Sequence, residues 1–280
     1  MMGNQNRDQF KLALAQKIQH GRRVAGIDHD RVFVVVNRPN IIIAKSGDRC
    51  DFEHSVANFT PSGICPCDNS VMNCAIDHLA ITAPSLAAGT KMLHDALGIW
   101  PQPGGEHVRM GTHNALLRLG EKLYLEVIAI DPAMANPNRP RWFRLDELTA
   151  QSMPRLATWV ARCADIHAAH AACGAMHGEI EAMSRGDLNW QISIAEDGSM
   201  PFDGIAPSLI QWQSPQHPAS RLEDRGCELV SLSGFHPQAE RLGDLLSALK
   251  IESRVSIQNH PRPNLVAQIK TPNGVRTIGA

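Results

Sequence analysis

The chain has 280 residues, 43% of them hydrophobic, which is enough for one large domain or two ordinary domains with packed cores. Its 27 Lys and Arg residues nearly balance 28 Asp and Glu residues, so bulk charge provides no attraction to nucleic acid or anionic lipid. No run of about 18 uncharged apolar residues predicts a membrane span, and the N-terminus lacks the apolar core of a secretion signal. We therefore expect a cytoplasmic protein without nucleic-acid or membrane partners.

The seven cysteines are an odd number scattered along the chain, which is unlike a disulfide framework, and we expect them to be reduced. Cys65 and Cys67 form the one close pair. A structural zinc site needs about four ligands, usually with two Cys-x-x-Cys pairs, and no second close pair exists. The cysteines therefore do not predict a zinc site.

The first 72 residues read differently from the rest of the chain. Residues 31–45, RVFVVVNRPNIIIAK, predict two short strands around an Asn-Arg-Pro-Asn turn, whereas residues 46–70 show neither helical nor strand periodicity. Either the start codon is assigned too early, with Met72 the true start, or this segment is a flexible extension. We expect residues 1–72 to be poorly ordered and residues 73–280 to form the domain.

A regular pattern begins after Met72 and recurs along the chain. The first copy reads strand, helix, strand, strand, in the segments NCAIDHLAIT, SLAAGTKMLHDALG, THNALLRLG and KLYLEVIAI. The second reads RLATWVARC, DIHAAHAACGA, DLNWQISI and APSLIQWQ, and a shorter third reads CELVSLSG, PQAERLGDLLSALK, RVSIQN and NLVAQIKTP. Each helix opens with a capping residue or a proline, namely Ser85, Asp165 and His236-Pro237.

This order, with room for a further strand before Thr112, predicts βαβββ units at about residues 74–131, 155–214 and 226–275. A sheet of three or four strands cannot bury its own apolar face well, so neighbouring copies should pair. The fold class is therefore α+β, built from repeated βαβββ units with a shared cleft.

Several segments resemble the glyoxalase-like domain family of the vicinal oxygen chelate superfamily, which also includes bleomycin-resistance proteins and dioxygenases. The first module is matched by IDHLAITAPSLAAGTKML, PGGEHVRMGTHNALLRLG and YLEVIAIDP, and the second by MSRGDLNWQISI and FDGIAPSLIQWQSPQHPASRL. The resemblance covers about Cys74 to Gly274. Its most specific pieces are residues 111–116 and the stretch 208–212 that precedes His217.

The resemblance implies curved mixed sheets around a cleft, with helices on the outer face and a divalent metal in the concavity. Metal ligands come from the first and fourth strands, where this chain has His78 and Glu126, and the second copy has Thr158 and Gln211. We therefore assign His78, Glu126 and Gln211 as metal ligands for Zn, Mn, Fe, Co or Ni. Thr158 is a poor ligand and Gln211 a neutral one, which is a departure from the family pattern.

Strand alternation gives an independent test of these positions. Glu126 shares its face with Tyr124, and Gln211 shares its face with Leu209 and Gln213. We expect these faces to line the cleft. A carboxylate buried without a partner in an apolar strand costs several kcal/mol, so Glu126 needs a cation, a partner or a cavity.

Four further polar residues are candidates for the site. His113 is a candidate catalytic residue beside Glu126, and Asn114 a candidate substrate ligand, although both could instead fix a turn through local hydrogen bonds. Arg185 could bind an anionic substrate by a forked hydrogen bond or be an ordinary surface arginine. His217 should reach the cleft rim, and Gln211 should also contact substrate.

Other residues are assigned structural or solvent roles. We expect His107, which follows two glycines, to be a solvated loop residue. His167, His170 and His177 accompany the second helix and should face solvent. Trp190 and Trp212 lie on strands, where aromatic residues usually build the core; they are expected there.

Three functions remain open from the sequence. The first is a divalent-metal-dependent lyase, isomerase or dioxygenase that chelates adjacent oxygens of a small substrate. The second is a metal-free protein that binds and sequesters a small molecule, as bleomycin-resistance proteins do. The third is a dimerising scaffold, since exposed sheet edges can pair with another copy. We expect a monomer or homodimer.

Overall fold

The structure, a computed structural model, describes residues 73–174, 177–251 and 254–279, together with three strands nearer the N-terminus. These are β1 (Val24–Ile27), β2 (Val32–Asn37) and β3 (Asn40–Lys45), which form an antiparallel sheet in that order. The hairpin of β2 and β3 matches the two strands predicted for residues 31–45. The remainder of the predicted extension, residues 1–72, lies outside the described residues. Residues 1–67 and 68–280 are separate compact units.

The second unit contains three successive sets of one strand, one helix and three strands. The first set comprises β4 (Ala75–Thr82), α1 (Leu86–Leu97), β5 (Gln102–His107), β6 (Thr112–Gly120) and β7 (Leu123–Ile130). The second set comprises β8 (Arg155–Arg162), α2 (Ile166–Cys173), β9 (Glu179–Arg185), β10 (Leu188–Ile194) and β11 (Ser208–Trp212). The third set comprises β12 (Glu228–His236), α3 (Ala239–Ala248), β13 (Val255–Asn259), β14 (Asn264–Thr271) and β15 (Gly274–Ile278).

The helix ends follow from local chemistry. Ser85 accepts a hydrogen bond from the Ala88 amide at the start of α1, and Gly98 ends that helix with a positive φ of 74° that glycine adopts readily. Asp165 caps α2 through two backbone amides. The third helix begins at Ala239, slightly after the predicted His236-Pro237 start, with Gln238 as its N-cap.

One eight-stranded sheet unites the first two sets, in the order β5-β6-β7-β4-β8-β11-β10-β9. In each half the first strand pairs in parallel with the last, β4 with β7 and β8 with β11, and the antiparallel pair β4–β8 joins the halves. The edge strands approach each other, since Arg109, just after β5, donates to the Ala182 carbonyl of β9. The predicted α+β class with curved sheets is confirmed.

The third set differs in its pairing. It forms a four-stranded sheet in the order β13-β12-β14-β15, in which β12 pairs in parallel with β13, the strand directly after the helix. In the first two sets the first strand pairs instead with the last. The third predicted copy therefore shares the element order of the others but not their strand order.

The two faces of the eight-stranded sheet have different environments. The outer face packs against all three helices and the four-stranded sheet, through buried residues that include Leu79, Leu93, Leu125, Trp159 and Leu232. Each fully buried side chain of this size contributes about 1.5–3 kcal/mol from leaving water. The inner face carries a second core with Ile128, Trp190 and Ile210, closed by Trp142 and Phe143 from the connection between the halves. No helix in the described part of the chain is long and apolar enough to cross a membrane.

Candidate functional site

A β-bulge on β4 places two adjacent polar residues on one side of the strand. Ile76 lies opposite Ala161 of β8, whereas His78 lies opposite Val160, so two steps on β4 match one step on β8. In a regular strand Asp77 and His78 would face opposite sides. Here Nδ1 of His78 lies 2.7 Å from Oδ1 of Asp77. The bulge therefore creates an aspartate–histidine pair.

Asp77 is completely buried and holds several donors. Its Oδ2 lies 2.9 Å from Nε2 of His217, and it accepts from Nε1 of Trp212 at 2.9 Å and from Nη1 of Arg162 at 3.3 Å. Burial alone would raise the pKa of Asp77, but the hydrogen bonds to His217 and His78 outweigh it and hold that pKa well below its usual range. Asp77 is therefore a carboxylate, and the proton on Nδ1 of His78 is directed toward it.

Glu126 meets His78 inside the sheet. It faces inward from β7, as the alternation predicted, and its Oε2 lies 3.6 Å from Nε2 of His78. Nδ2 of Asn114, from β6, donates to Oε1 of Glu126 at 2.5 Å. The ring of Tyr124 stacks on the imidazole of His78 with centroids 4.6 Å apart. The structure thus brings together His78, Glu126 and Asn114, three of the predicted site residues.

These groups line a small inner cavity with a free volume of about 30 Å³. That volume is enough for about one or two water molecules. Its walls combine the polar residues above with aromatic and apolar side chains. The lining residues are His78, His107, Asn114, Tyr124, Glu126, Trp142, Phe143, Arg185, Trp190, Ile192, Ile210 and Trp212.

His107 belongs to this cavity, and its prediction as a solvated loop residue is wrong. It ends β5, paired opposite Thr112, and is 7% exposed. Its Nδ1 lies 3.2 Å from Oγ1 of Thr112, and its Nε2 lies 3.2 Å from Nη1 of Arg185. Burial, followed by the positive charge of Arg185, lowers the pKa of His107 to about 3. His107 is therefore neutral, and its Nε2 accepts a hydrogen bond from Nη1 of Arg185.

Arg185 lies at the edge of the cavity, as its prediction as a substrate ligand requires. Besides His107, it approaches Oδ1 of Asn114, at 3.4 Å, and that oxygen also accepts from the Gly105 amide at 2.8 Å. The Asn114 oxygen therefore accepts from Arg185, and the Asn114 nitrogen donates to Glu126. The amide links the cation to the carboxylate.

The prediction that Gln211 faces the cleft as a metal and substrate ligand is wrong. Its Oε1 accepts a hydrogen bond from the Ile166 amide at the start of α2, at 2.9 Å. Leu209, on the same face, packs in the outer core, whereas Ile210 and Trp212 line the cavity. Alternation identified the two faces of β11 but could not say which one the helix covers.

The structure also corrects the predictions for His113 and His217. His113 alternates with Asn114 on β6 and points away from the cavity, with its Nδ1 3.6 Å from Oδ2 of Asp131, so its catalytic assignment is wrong. His217 is buried against Asp77 rather than placed at the rim, and it does not line the cavity. His217 therefore contacts the cavity residue His78 only indirectly, through Asp77.

Asp77 and His107 are two site residues that were missed from the sequence. Asp77 carried a usable signal, because two consecutive polar residues in an otherwise apolar strand break the alternation and indicate a bulge. His177, expected to face solvent, is buried, and burial lowers its pKa to about 4; it lies outside the cavity that contains Glu126. Trp190 and Trp212 belong to the inner wall as well as to the core.

Residues 76–249, more than half of the chain, match the family model described as a glyoxalase-like domain. The chain therefore belongs to the glyoxalase-like domain family. No curated protein matches the chain.

Solved structures with a similar fold have low sequence identity to this chain. A hypothetical protein from Staphylococcus aureus is 12% identical, with 68% of this chain and 87% of that chain covered and a TM-score of 0.47. Methylmalonyl-CoA epimerase from Mycobacterium tuberculosis is 14% identical over 50% of this chain and 87% of that chain, with a TM-score of 0.33. A Streptomyces coelicolor methylmalonyl-CoA epimerase variant in complex with 2-nitronate-propionyl-CoA is 16% identical, covering 50% and 96%, with a TM-score of 0.33.

The sequence resemblance implied a divalent metal, but the residues of this chain do not fit the predicted three-donor site. Nε2 of His78 and Oε2 of Glu126 are donors of a suitable kind. The described residues contain no group of three or more His, Cys, Asp or Glu side chains that could hold an ion. Gln211 is turned toward α2, and the guanidinium of Arg185 places a positive charge on the cavity wall.

Proposed function

We propose that the chain is a small-molecule enzyme of the lyase or isomerase type, which moves a proton on a substrate with adjacent oxygen atoms. The observation that carries this proposal is the buried pair of His78 and Glu126, whose facing atoms are 3.6 Å apart in one cavity. Two titratable groups that face each other can remove a proton from one position and return it at another.

Glu126 is the proposed base. Its carboxylate is 5% exposed, and the Asn114 amide fixes one of its oxygens, which leaves the other directed at His78. A general base must lie within hydrogen-bond reach of the proton that it takes, and a fixed carboxylate in a small buried cavity can meet this requirement. General acid–base catalysis of this kind contributes about 10²–10⁴-fold to rate.

Asp77 positions His78 without contacting substrate. By accepting a hydrogen bond from Nδ1–H of His78, it sets which ring nitrogen faces the cavity and holds the ring stacked against Tyr124. Nε2 is then free to exchange a proton with the substrate or with Glu126. The roles of Asp77 and Glu126 thus differ although both are buried carboxylates.

Arg185 supplies the positive charge in this arrangement. Negative charge develops on a substrate oxygen when a neighbouring carbon loses its proton, and a fixed guanidinium stabilises that charge strongly in a site shielded from water. Arg185 lies on the cavity wall and is connected through Asn114 to Glu126.

The proposal includes a cytoplasmic location and either a monomer or a homodimer.

Proton exchange in heavy water tests the proposed function. The purified protein is incubated in D₂O with a panel of 2-oxo, 2-hydroxy and 2-methyl carboxylic acids and their thioesters, and deuterium incorporation is followed by NMR, with and without EDTA. We expect catalysed exchange in at least one compound, unchanged by EDTA. Exchange that stops with EDTA and returns with Mn²⁺ or Ni²⁺ would support the metal-dependent form of the activity instead. Absence of exchange across the panel would contradict enzymatic proton transfer.

A metal-free binding protein is the second candidate function. It is favoured by the missing third metal donor and by the small, largely aromatic cavity. The same panel distinguishes the two functions when binding is measured by calorimetry alongside exchange. A compound that binds tightly, keeps its affinity in EDTA and never exchanges a proton would favour sequestration.

A further inference from the structure

Arg185 pairs with no carboxylate in the described part of the chain, unlike two arginines close to it at the same edge of the sheet. Arg109 pairs with Glu181, and Arg221 pairs with Asp187. The acceptors within reach of Arg185 are instead the neutral imidazole of His107 at 3.2 Å and the amide oxygen of Asn114 at 3.4 Å. These are long hydrogen bonds to neutral groups, and an anion would bind the guanidinium more strongly.

Arg185 also separates two spaces of very different size. It lines the inner cavity of about 30 Å³, and on its other side it lines an outer cleft of about 740 Å³. Binding sites for small molecules usually measure about 300–1,000 Å³, so the outer cleft has the right size for an organic ligand and the inner cavity does not. A substrate that reaches Glu126 must therefore keep most of its atoms in the outer cleft and extend past Arg185.

The walls of the outer cleft indicate what kind of molecule fits there. Apolar side chains contribute much of its surface, from Pro103, Val108, Leu116, Leu188, Pro218 and Leu222. Asp187 and Arg221 neutralise each other at the rim through two hydrogen bonds. Glu106, exposed on the same wall, would repel a second negative charge on the ligand. The net attraction in this cleft is therefore for one anionic group beside an apolar body.

The backbone beside Arg185, between the outer cleft and the inner cavity, consists of two glycines that lie very close to polar side chains. Gly104 and Gly105 line the outer cleft, and a Cβ at Gly105 would lie 3.0 Å from Cδ of Arg185, while one at Gly104 would overlap the Asn114 amide. Gly104 therefore needs to be glycine for the strand to approach Asn114 so closely, and a side chain at Gly105 would crowd Arg185. Any side chain here would displace Arg185 or Asn114.

Resting on the proposed function, we propose that the substrate is a monocarboxylic acid, or a similar monoanion, with an apolar body. Its body occupies the outer cleft, and its anionic group replaces His107 and Asn114 as the partner of Arg185. That exchange of partners opens the passage to the inner cavity and brings the carbon next to the anionic group toward Glu126. Arg185 thus selects the substrate by charge and also controls access to the base.

Matched acid and amide probes test this assignment. Binding of 4-phenylbutyrate and of 4-phenylbutyramide is measured by calorimetry and by intrinsic tryptophan fluorescence, to which Trp142, Trp190 and Trp212 of the inner cavity contribute. We expect the acid to bind about 10- to 100-fold more tightly than the amide, the usual difference for a hydrogen bond to a charged group. Arg185→Gln should remove this preference, and Arg185→Lys should keep part of it. Arg276→Gln, at an exposed position on β15, should leave it intact.

Equal affinities for acid and amide, or a preference that survives Arg185→Gln in a folded variant, would overturn the inference. Circular dichroism and thermal unfolding confirm that the variants fold. The outcome is separable from that of the proposed function, because Glu126→Gln should abolish exchange and keep the acid preference. An acid preference dependent on Arg185 without exchange in any compound would contradict proton transfer alone, whereas exchange that is indifferent to Arg185→Gln would contradict this inference alone.

Discussion

The two halves of the eight-stranded sheet have the same strand order but contribute different chemistry to the cavity they enclose. Strands β4 to β7 supply the polar groups, namely His78, His107, Asn114 and Glu126. Strands β8 to β11 supply an aromatic and aliphatic wall together with one cation, namely Ile192, Ile210, Trp190, Trp212 and Arg185. The first half therefore holds the groups proposed for acid–base chemistry, and the second half holds the apolar wall and the positive charge.

This contrast shows that equivalent places in a duplicated topology need not keep equivalent roles. Thr158 corresponds to His78, but it is completely buried and its Oγ1 approaches the neighbouring Trp159 carbonyl at 3.4 Å. Gln211, which the sequence pattern matched to Glu126, lies on the outer face of β11 and binds the start of α2. A site shared equally between the halves, as the family pattern implied, is replaced by a one-sided site.

The largest expected effect is a loss of proton exchange, and it should differ between a variant in the first half of the sheet and one in the second half. His78→Gln removes one member of the acid–base pair and should lower proton exchange by about 10²–10⁴-fold. The matched change in the second half, Ile210→Val, removes one methylene from the opposite wall and should lower exchange only several-fold. Deuterium incorporation measured by NMR compares the two variants, and similar losses in both would contradict the one-sided site.

Removing Asp77 should produce the largest loss of stability. Asp77→Asn leaves the Arg162 guanidinium and two histidines without their buried carboxylate, and we expect a loss of about 3–5 kcal/mol in unfolding free energy at pH 7. Because folding lowers the pKa of Asp77, its contribution is complete above the ordinary aspartate pKa near 4 and declines as pH falls below it.

Urea unfolding at pH 7 and pH 3 measures both parts of this expectation. The difference in stability between the wild type and Asp77→Asn should shrink at pH 3. Asp244→Asn, at an exposed position on α3, serves as the control and should change little at either pH. An Asp77→Asn protein as stable as the wild type at pH 7 would show that the buried network does not stabilise the fold.

The buried, neutral His107 should make the free energy of unfolding depend on pH. Its pKa of about 3 in the folded protein lies below the ordinary histidine value near 6.5, so between these values the unfolded chain binds a proton that the folded chain does not. Stability should therefore fall as pH decreases from 6.5 toward 3, by up to about 1.4 kcal/mol per pH unit. His107→Gln should flatten this slope by one proton, whereas the exposed His260→Gln should not. Identical slopes for His107→Gln and the wild type would contradict the buried, neutral His107.

The smallest expected effect concerns Gln211. Gln211→Ala removes one hydrogen bond to the first turn of α2 and should cost about 0.5–1.5 kcal/mol in thermal or urea unfolding. Proton exchange should stay unchanged, because the side chain lies outside the cavity. A variant with normal stability and greatly reduced exchange would return Gln211 to the catalytic site.

Local patterns were sufficient to predict much of this fold. Ser85 and Gly98 mark the ends of α1 because side-chain capping and positive φ are chemical properties of those residues. The inward direction of Glu126 followed from alternation, since the opposite face of β7 is wholly apolar. The third set shows the limit, because the same element order is compatible with two different strand pairings.

The candidate site was less predictable because it depends on contacts between distant segments. His107 is buried by Trp142, which lies in the connection between the halves and whose ring centroid is 5.0 Å from the imidazole. The second face of β11 could not be oriented without knowing where α2 packs. Asp77 reaches His217, 140 residues away, through a bulge that a regular strand pattern does not include.

Glu126→Gln, compared with Glu121→Gln at the exposed turn between β6 and β7, tests the proton-transfer account most directly when binding and exchange are measured on the same preparations. The account predicts that Glu126→Gln binds the exchanging acid within a few-fold of the wild type but loses about 10²–10⁴-fold in deuterium incorporation, while Glu121→Gln retains both. Normal exchange in Glu126→Gln would contradict the account.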